Sequence, residues 1–487
     1  MPRVVGHWPF LTALVLPLLL ASCFPLLPSQ GGGQTEFEAP RRLQPADVRL
    51  PDGYEIEVVA TGLDLPTGVA FDDQGRIYVL EAGYSYGELF SEPRLLRLEP
   101  EGPPTVVATG DNPPWNGVVF ADGAFYVAGG HVDGGEILRI GLDGTVETVV
   151  GGLPSYGDHH TNGPLVSEDG WIYFGQGTAT NSGVVGPDNF DFGWLPRNPD
   201  FHDVPCEEIT LAGRNFRSGD PLTEAEEQVF TGAYLPFGEA SSEGQVIPGE
   251  VPCNGAIMRV RTDGSGLEVI AWGLRNPFGL AWDGSGDLLV TENSFDERGS
   301  RPVFGTGDLL WRIEPGSWYG WPDFWAGRPL TDEEWFSSPG DEAPGFLLAE
   351  HPQDPPEPLA FLGVHSSSNG LDVSRSREFG YLGDAFIAQF GDMSPNVGKV
   401  LEPVGFKVIR VDEQGRVFDF AMNRGAQNGP ASRLGTGGLE RPVAARFDPR
   451  GRSLYIVDFG VMTIANGEAQ PRPGTGVVWQ VTREGAD

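Results

Sequence analysis

Positive charge, cysteine and histidine are all scarce in this chain. Its 487 residues carry 32 Lys and Arg against 68 Asp and Glu, with three Cys and seven His. A formal net charge of −36 repels a phosphate backbone, which argues against a nucleic-acid partner. A small anionic ligand would need a local basic pocket against that field. No Cys-x-x-Cys-His occurs, so no covalently attached c-type haem is expected. No glycine-rich loop follows a strand and opens a helix, so a nicotinamide nucleotide site has no support. No long amphipathic helical stretch stands out, and the apolar run Leu11–Leu20 is too short to span a bilayer as a helix.

Glycine and proline are plentiful instead, at 70 and 43 residues, spread between apolar runs as many short strands with tight turns require. One phrase recurs six times: a small polar turn, a glycine or alanine anchor, an apolar step, a Gly-centred turn and a β-rich run. The anchors are Gly68, Gly117, Gly163, Gly279, Gly370 and Ala444. The β-rich runs include Ile77–Val79, Phe125–Val127, Ile172–Phe174, Leu288–Val290, Phe386–Ala388 and Leu454–Val457. Each repeat has a second half, such as Ile137–Ile140 turning at Asp143-Gly144 into Val146–Val150, or Ile257–Val260 turning at Asp263-Gly264 into Leu267–Ile270. Asp-Gly turns between alternating runs read as antiparallel hairpins. Two hairpins make a four-stranded blade, and six repeats make an all-β, six-bladed β-propeller.

The interval from Gly163 to Gly279 is far longer than one blade. Residues 178–252 are therefore expected to form a long insertion between blades 3 and 4, and 322–362 a second one. Such insertions decorate a face and shape a binding mouth. The expected organisation is a signal peptide at 1–22, a flexible tether at 23–46 and one propeller domain at 47–485. Arg3 and the following apolar run suit an export signal. The tether reading rests on Gly31-Gly32-Gly33 and scattered prolines. Leu20-Ala21-Ser22-Cys23 resembles a bacterial lipobox, which implies cleavage before Cys23 and lipidation of its sulfur; an ordinary cleaved signal is the alternative. On the lipobox reading the mature chain is exported, anchored to the bacterial cell envelope and not embedded in it. Cys206 and Cys253 remain, an even pair that favours a disulfide in an exported chain. It would close a loop of about 47 residues and contribute about 4 kcal/mol.

A propeller brings equivalent positions of its blades together on one axis. Three residues before each anchor stand Leu65, Pro114, His160, Asn276, Ser367 and Arg441. Polar character gathers in blades 3 to 6, with His159 and Arg275 beside the column. This pattern fits a small-molecule site at one mouth of the channel, although polar residues at strand starts also satisfy turn backbone groups. His160 is the candidate general base, since a neutral imidazole accepts protons near neutral pH. Arg275 could hold an anion or oxyanion through its planar fork. Trp318, Tyr319 and Trp321 could stack on a sugar or simply pack. Asp283–Asp287 lacks full Ca²⁺-loop spacing.

His160-Thr161-Asn162-Gly163-Pro164-Leu165 and Gly273-Leu274-Arg275-Asn276-Pro277-Phe278-Gly279-Leu280 resemble the glucose/sorbosone dehydrogenase family. So do Thr291-Glu292-Asn293, Asp296–Ser300, Trp318–Pro322 and Tyr455–Gly460. The resemblance covers nearly all of 47–485 and is strongest to an exported, sorbosone-dehydrogenase-like branch. Members are six-bladed propellers, several of them soluble quinoproteins using pyrroloquinoline quinone (PQQ) and Ca²⁺. The resemblance implies that His160 takes the proton of a sugar C1 hydroxyl while hydride passes to the quinone. It implies that Arg275 and Asn276 contact cofactor and substrate, and that Asp296 adds a carboxylate beside Ca²⁺. Glucose-oxidising members clamp the quinone carboxylates with a Lys and two Arg from blades 5 and 6. Here Ser366–Ser368 and Gln389–Gly391 stand in the comparable blade 5 region, and Arg441 is the substitute on the axial column. The expected function is oxidation of an aldose, sorbosone-like or related sugar, with the electron acceptor beyond PQQ unspecified. Two other readings remain: a non-catalytic surface propeller binding carbohydrate or a protein, and a metal-dependent lactonase. The lactonase would need Glu, Asn and Asp on the axis, where only Asn276 is in evidence.

Overall fold

The structure is a computed structural model that describes residues 27–485 apart from 87–88, 132, 224–226 and 338–341. The signal peptide at 1–22 and Cys23 lie outside the described residues. Six antiparallel sheets form the propeller, five of them four-stranded and the fifth blade extended by the short outer strand Val48–Arg49. Their innermost strands are Pro66–Phe71, Trp115–Ala121, Thr161–Val166, Asn276–Trp282, Ser368–Val373 and Pro442–Phe447. Each expected β-rich run supplies the second strand of its blade and is almost wholly buried, as in Ile77–Glu81 and Leu454–Val457. A strand covered on both faces by neighbouring blades reads as a continuous apolar run rather than an alternating one. Blade 6 closes the ring, because Tyr54–Leu63 pairs with Gly476–Arg483.

The anchors mark where blades touch around the axis. A Cβ on Gly117 would lie 1.8 Å from the Gly163 carbonyl oxygen, and one on Gly279 would lie 2.4 Å from the Asn369 carbonyl oxygen. A side chain at Gly370 would press on Ala444 Cα at 2.9 Å. Absence of a Cβ is thus what lets one inner strand pass against the next. Every inner strand also carries a pairing irregularity at or beside its anchor, for example between Asn162 and Leu165 and between Pro277 and Leu280.

Three expectations need correction. The insertion 178–252 does not separate blades 3 and 4. It interrupts blade 3 between its second strand, Trp171–Gln176, and its third, Ala256–Arg261. The hairpin after it belongs to blade 3, so the anchor spacing placed the boundary one half-blade early. The segment 322–362 is only partly an insertion, since Ala360–Gly363 is the outer strand of blade 4. The tether is not free over its described part. Gln30 N–H donates to the Val400 carbonyl at 2.8 Å, Gly32 N–H to Asp392, and Ile464 N–H to the Gly33 carbonyl at 2.7 Å. Arg41 forms a buried ion pair with Asp458. The glycines that suggested flexibility fit a slot instead, where any Cβ would come within 2.8 Å of a neighbour. The Cys206–Cys253 disulfide is present and joins the two arms of the blade 3 insertion.

Gly117→Ala is expected to cost about 1–3 kcal/mol through overpacking. Gly284→Ala, where nothing lies within 4 Å, should change stability by less than about 0.5 kcal/mol. Denaturant unfolding of the two variants checks this; equal stabilities would remove the inter-blade contact as the reason for the anchor.

Candidate functional site

A cavity of about 190 Å³ lies at one end of the axis. The six residues immediately before the anchors, Thr67, Asn116, Asn162, Phe278, Asn369 and Val443, all line it, and Thr67, Asn116, Phe278 and Val443 continue into the narrow channel below. This is the true axial column, two residues on from the expected one. Of the expected column, Pro114, His160, Asn276 and Ser367 reach the wall, while Leu65 and Arg441 do not. The irregularity at each anchor rotates the strand start away from the axis and turns the next inward residue toward it.

Carboxamides form a directed chain along this wall. Asn116 Nδ2 donates to Asn162 Oδ1 at 3.2 Å, Asn162 Nδ2 to Asn276 Oδ1 at 3.0 Å, and Asn276 Nδ2 to Asn293 Oδ1 at 3.0 Å. Asn293 Nδ2 ends it on the Ser368 carbonyl at 2.9 Å. A chain of neutral groups, each both donor and acceptor, suits a ligand with the same dual character.

The two histidines differ. His160 is enclosed by Tyr84, His131 and Trp194, with ring centroids 5.7, 5.0 and 6.1 Å away. Both its ring nitrogens are buried without a hydrogen bond. Burial, reinforced by His131, holds its pKa well below the ordinary value. His159 also lines the cavity, and its Nδ1 lies 2.9 Å from the Thr178 carbonyl. A carbonyl only accepts, so Nδ1 carries the proton and Nε2 keeps a lone pair. Burial, then Arg275 and Arg298, hold His159 neutral. Both rings line the cavity; Thr178 fixes the tautomer of His159, while neither ring nitrogen of His160 has a hydrogen-bond partner. The second His of an Asp-His-His run was visible in the sequence, but the side chain with an anchored nitrogen was not.

Arg275, Asn276 and Asp296 come together at the wall. Arg275 donates to the Asn181 carbonyl and Oδ1, the Asn293 carbonyl and Asp296 Oδ2. Arg298, which the sequence reading did not single out, is held by three carboxylates: Asp158 at 2.8 Å, Asp188 at 2.5 Å and Asp296 at 3.1 Å. Burial alone would raise the Asp296 pKa, but Arg275 and Arg298 bring it below the ordinary range. Ser367 sits at the rim with φ 49°. Arg441 is corrected outright. It is buried behind Phe390 and Gly391, and its guanidinium is spent on the carbonyls of Phe390, Gly391, Asp392 and Met462. A long side chain that starts beside the axis need not end there.

No family model matches the chain, and no curated protein does. Solved structures do. The PQQ-bound aldose sugar dehydrogenase of Streptomyces coelicolor is 16% identical, with 89% of this chain and 99% of that chain covered at a TM-score of 0.50. The PQQ domain of pyranose dehydrogenase from Coprinopsis cinerea is 15% identical, covering 92% and 98% at 0.55. The soluble aldose sugar dehydrogenase of Escherichia coli, in its apo form, is 16% identical, covering 88% and 99% at 0.50. The chain thus shares the six-bladed fold of PQQ-dependent soluble sugar dehydrogenases.

The residues present do not fit PQQ and Ca²⁺. PQQ carries three carboxylates, and the cations on this wall are Arg275, Arg298 and His365. Both arginines are already satisfied by carboxylates and carbonyls. His365 stands between Asp296 at 3.8 Å and Glu297 at 3.9 Å. Asp158, Asp296 and Asp308 share the same wall, so no net positive field remains for a trianion. Asp296 Oδ2 is taken by the two arginines, which leaves its Oδ1 as the carboxylate oxygen a cation could share.

Glu292 lies under the site, accepting from Arg275 N–H and Trp311 Nε1. Burial outweighs both bonds and lifts its pKa from 4.5 to about 7. A carboxyl whose folded pKa is raised stabilises the fold fully below its unfolded pKa and loses that contribution as pH rises through the folded value. Stability should therefore fall between pH 4.5 and pH 7, and Glu292→Gln should flatten that slope. Melting temperatures across this range check it; parallel curves would refute the assignment.

Proposed function

We propose that the axial cavity binds a neutral, polyhydroxylated ligand of the sugar class, and that the His159 Nε2 lone pair accepts a hydrogen bond from one of its hydroxyls. The carboxamide chain Asn116–Asn162–Asn276–Asn293 carries this reading. It offers paired donors and acceptors without net charge, which is what vicinal hydroxyls require. Tyr84, Tyr86, Phe192, Phe278 and Phe390 supply apolar faces around it. His159 is within the same wall, neutral and with its tautomer fixed by Thr178. Among the described residues of the blade 3 insertion, Phe192 lines the cavity.

A second reading is oxidation of that sugar, an aldose or sorbosone-like compound, by PQQ with Ca²⁺. The shared fold favours it, since the Streptomyces coelicolor aldose sugar dehydrogenase of that fold is PQQ-bound. The pairing of Arg275 and Arg298 with carboxylates opposes it. Export and a lipid on Cys23 belong to the same proposal.

Calorimetry with a panel of aldoses and sugar lactones tests the site. Binding without PQQ supports the cavity reading, and Asn162→Leu should weaken it about 3–10-fold for each hydrogen bond lost. Dye reduction on adding PQQ and Ca²⁺, abolished by His159→Ala but not by His160→Phe, would establish the quinoprotein reading. No heat with any sugar, with or without PQQ, would refute both. Membrane fractionation tests the anchor: wild type should pellet with membranes and Cys23→Ser should not; equal partitioning would refute lipidation there.

A further inference from the structure

We propose that Asp203, from the blade 3 insertion, is a positioning residue for His159 and acts through the one peptide unit that joins Thr178 to Ala179. Its importance rests on the role proposed above for His159. Both ends of that peptide unit are occupied. The N–H, on Ala179, donates to Asp203 Oδ1 at 2.6 Å. The carbonyl, on Thr178, accepts from His159 Nδ1 at 2.9 Å and from the His159 N–H at 3.2 Å. A carboxylate on a peptide N–H polarises the peptide, and the carbonyl at its far end becomes a better acceptor. Linked hydrogen bonds strengthen one another by about 10–30 % each. Asp203 thus holds the His159 proton on Nδ1 at one remove and leaves the Nε2 lone pair for the cavity.

A second route leads to the same carboxylate. Asp203 Oδ2 accepts from Thr180 Oγ1 at 2.5 Å, and the Thr180 carbonyl accepts from Thr178 Oγ1 at 2.7 Å. That commits the Thr178 hydroxyl proton, so Oγ1 offers only lone pairs to His159 Nδ1 at 3.1 Å. Asp203 is held in turn by the neck of the insertion. Val204 N–H donates to Asn254 Oδ1 at 3.0 Å, and the Val204 carbonyl accepts from Asn254 N–H at 2.9 Å, beside the Cys206–Cys253 disulfide. Asn254 Nδ2 reaches on to the Gly177 carbonyl at 2.8 Å. A Cβ on Gly177 would lie 2.3 Å from His159 Cβ, so the neck bears directly on the histidine.

A carboxyl is a costly choice at this place. Asp203 is buried, and the titratable groups that act on it are Asp158 and Tyr234, neither of them a cation. Burial, against the bonds from Thr180 and Ala179, lifts its pKa to about 7. An Asn would accept from the same N–H without a charge to desolvate. What the carboxylate adds is the polarisation that reaches His159. His159 itself is kept neutral by burial, then by Arg275, Arg298 and His160.

Proton-detected NMR on the full chain labelled with 15N-histidine, without ligand, tests this; loss of a signal in His159→Gln identifies the resonance. In wild type the Nδ1–H resonance should move downfield as pH rises through about 7, where Asp203 ionises. In Asp203→Asn it should stay upfield at every pH and exchange with solvent severalfold faster. Glu292 titrates in the same range, so Glu292→Gln is the control and should leave the movement intact. A wild-type resonance that does not move, a movement that survives Asp203→Asn, or one that disappears in Glu292→Gln would overturn the proposal. The wild-type and Glu292→Gln titrations decide it even where Asp203→Asn does not fold. Calorimetry with the sugar panel separates the two roles. Weaker binding by Asp203→Asn, by severalfold, supports both; a shifted resonance with unchanged affinity supports the positioning by Asp203 and overturns the contact of His159 with the ligand.

Discussion

Everything in this molecule depends on how closely six strands can approach one axis. At Gly117, Gly279 and Gly370 the neighbouring backbone occupies the space a side chain would fill. That contact sets the radius of the ring, and the radius sets the size of the cavity above it. Larger residues at these positions would push blades apart and leave inter-blade contacts loose. Apolar second strands, buried from both sides, then fill the wedges between blades. The pairing irregularity beside each anchor is part of the same constraint, since an inner strand that narrows toward the axis cannot keep a regular ladder to its end.

The cavity wall solves a polar problem created by this geometry. Strand starts converge and bring amides, imidazoles, carboxylates and guanidinium groups into one buried place. The amides satisfy one another in sequence, from Asn116 to Asn293. The charges are compensated locally, Arg275 by Asp296 and Arg298 by three carboxylates. Buried charges require such pairing. The consequence is chemical: a wall whose cations are all engaged discriminates against anions, despite containing two arginines. The fold of the sugar dehydrogenases is therefore present without the free positive charge that a tricarboxylate quinone would demand.

The sequence made the local features legible. Six anchors, twelve hairpin halves and an even cysteine pair are short-range patterns, and each corresponds to something in the structure. Arg275, Asn276 and Asp296 stand together on the wall, because they lie near one another along the chain and flank one hairpin. What was not legible depended on side-chain direction. The residues just before the anchors line the cavity in all six blades, whereas those two positions earlier do so in four, Leu65 and Arg441 standing away from it. Arg441 starts at the right height and then folds back into a cage of carbonyls. His159 and His160 are indistinguishable in a list of residues; only the Thr178 carbonyl separates a ring of fixed tautomer from one without a hydrogen-bond partner. The glycines at 31–33 look like linker composition, and only a slot between Asp392, Phe406 and Ile464 reveals why they are small.

Closure of the ring has a temporal side. The outer strand of blade 6 is Tyr54–Leu63, near the beginning of the chain, and its partner is Gly476–Arg483, near the end. Contacts of such long sequence separation form slowly, because loop entropy is lost before they are gained. A ribosome that has made five blades has not yet supplied the partner of the first strand. That strand, with its alternating exposed edge, must wait for almost the whole chain to emerge. Until then it is an open edge of the kind that pairs with other chains. The nascent protein is therefore open to pairing with other chains until Gly476–Arg483 has emerged, and removal of that strand leaves Tyr54–Leu63 without its neighbour.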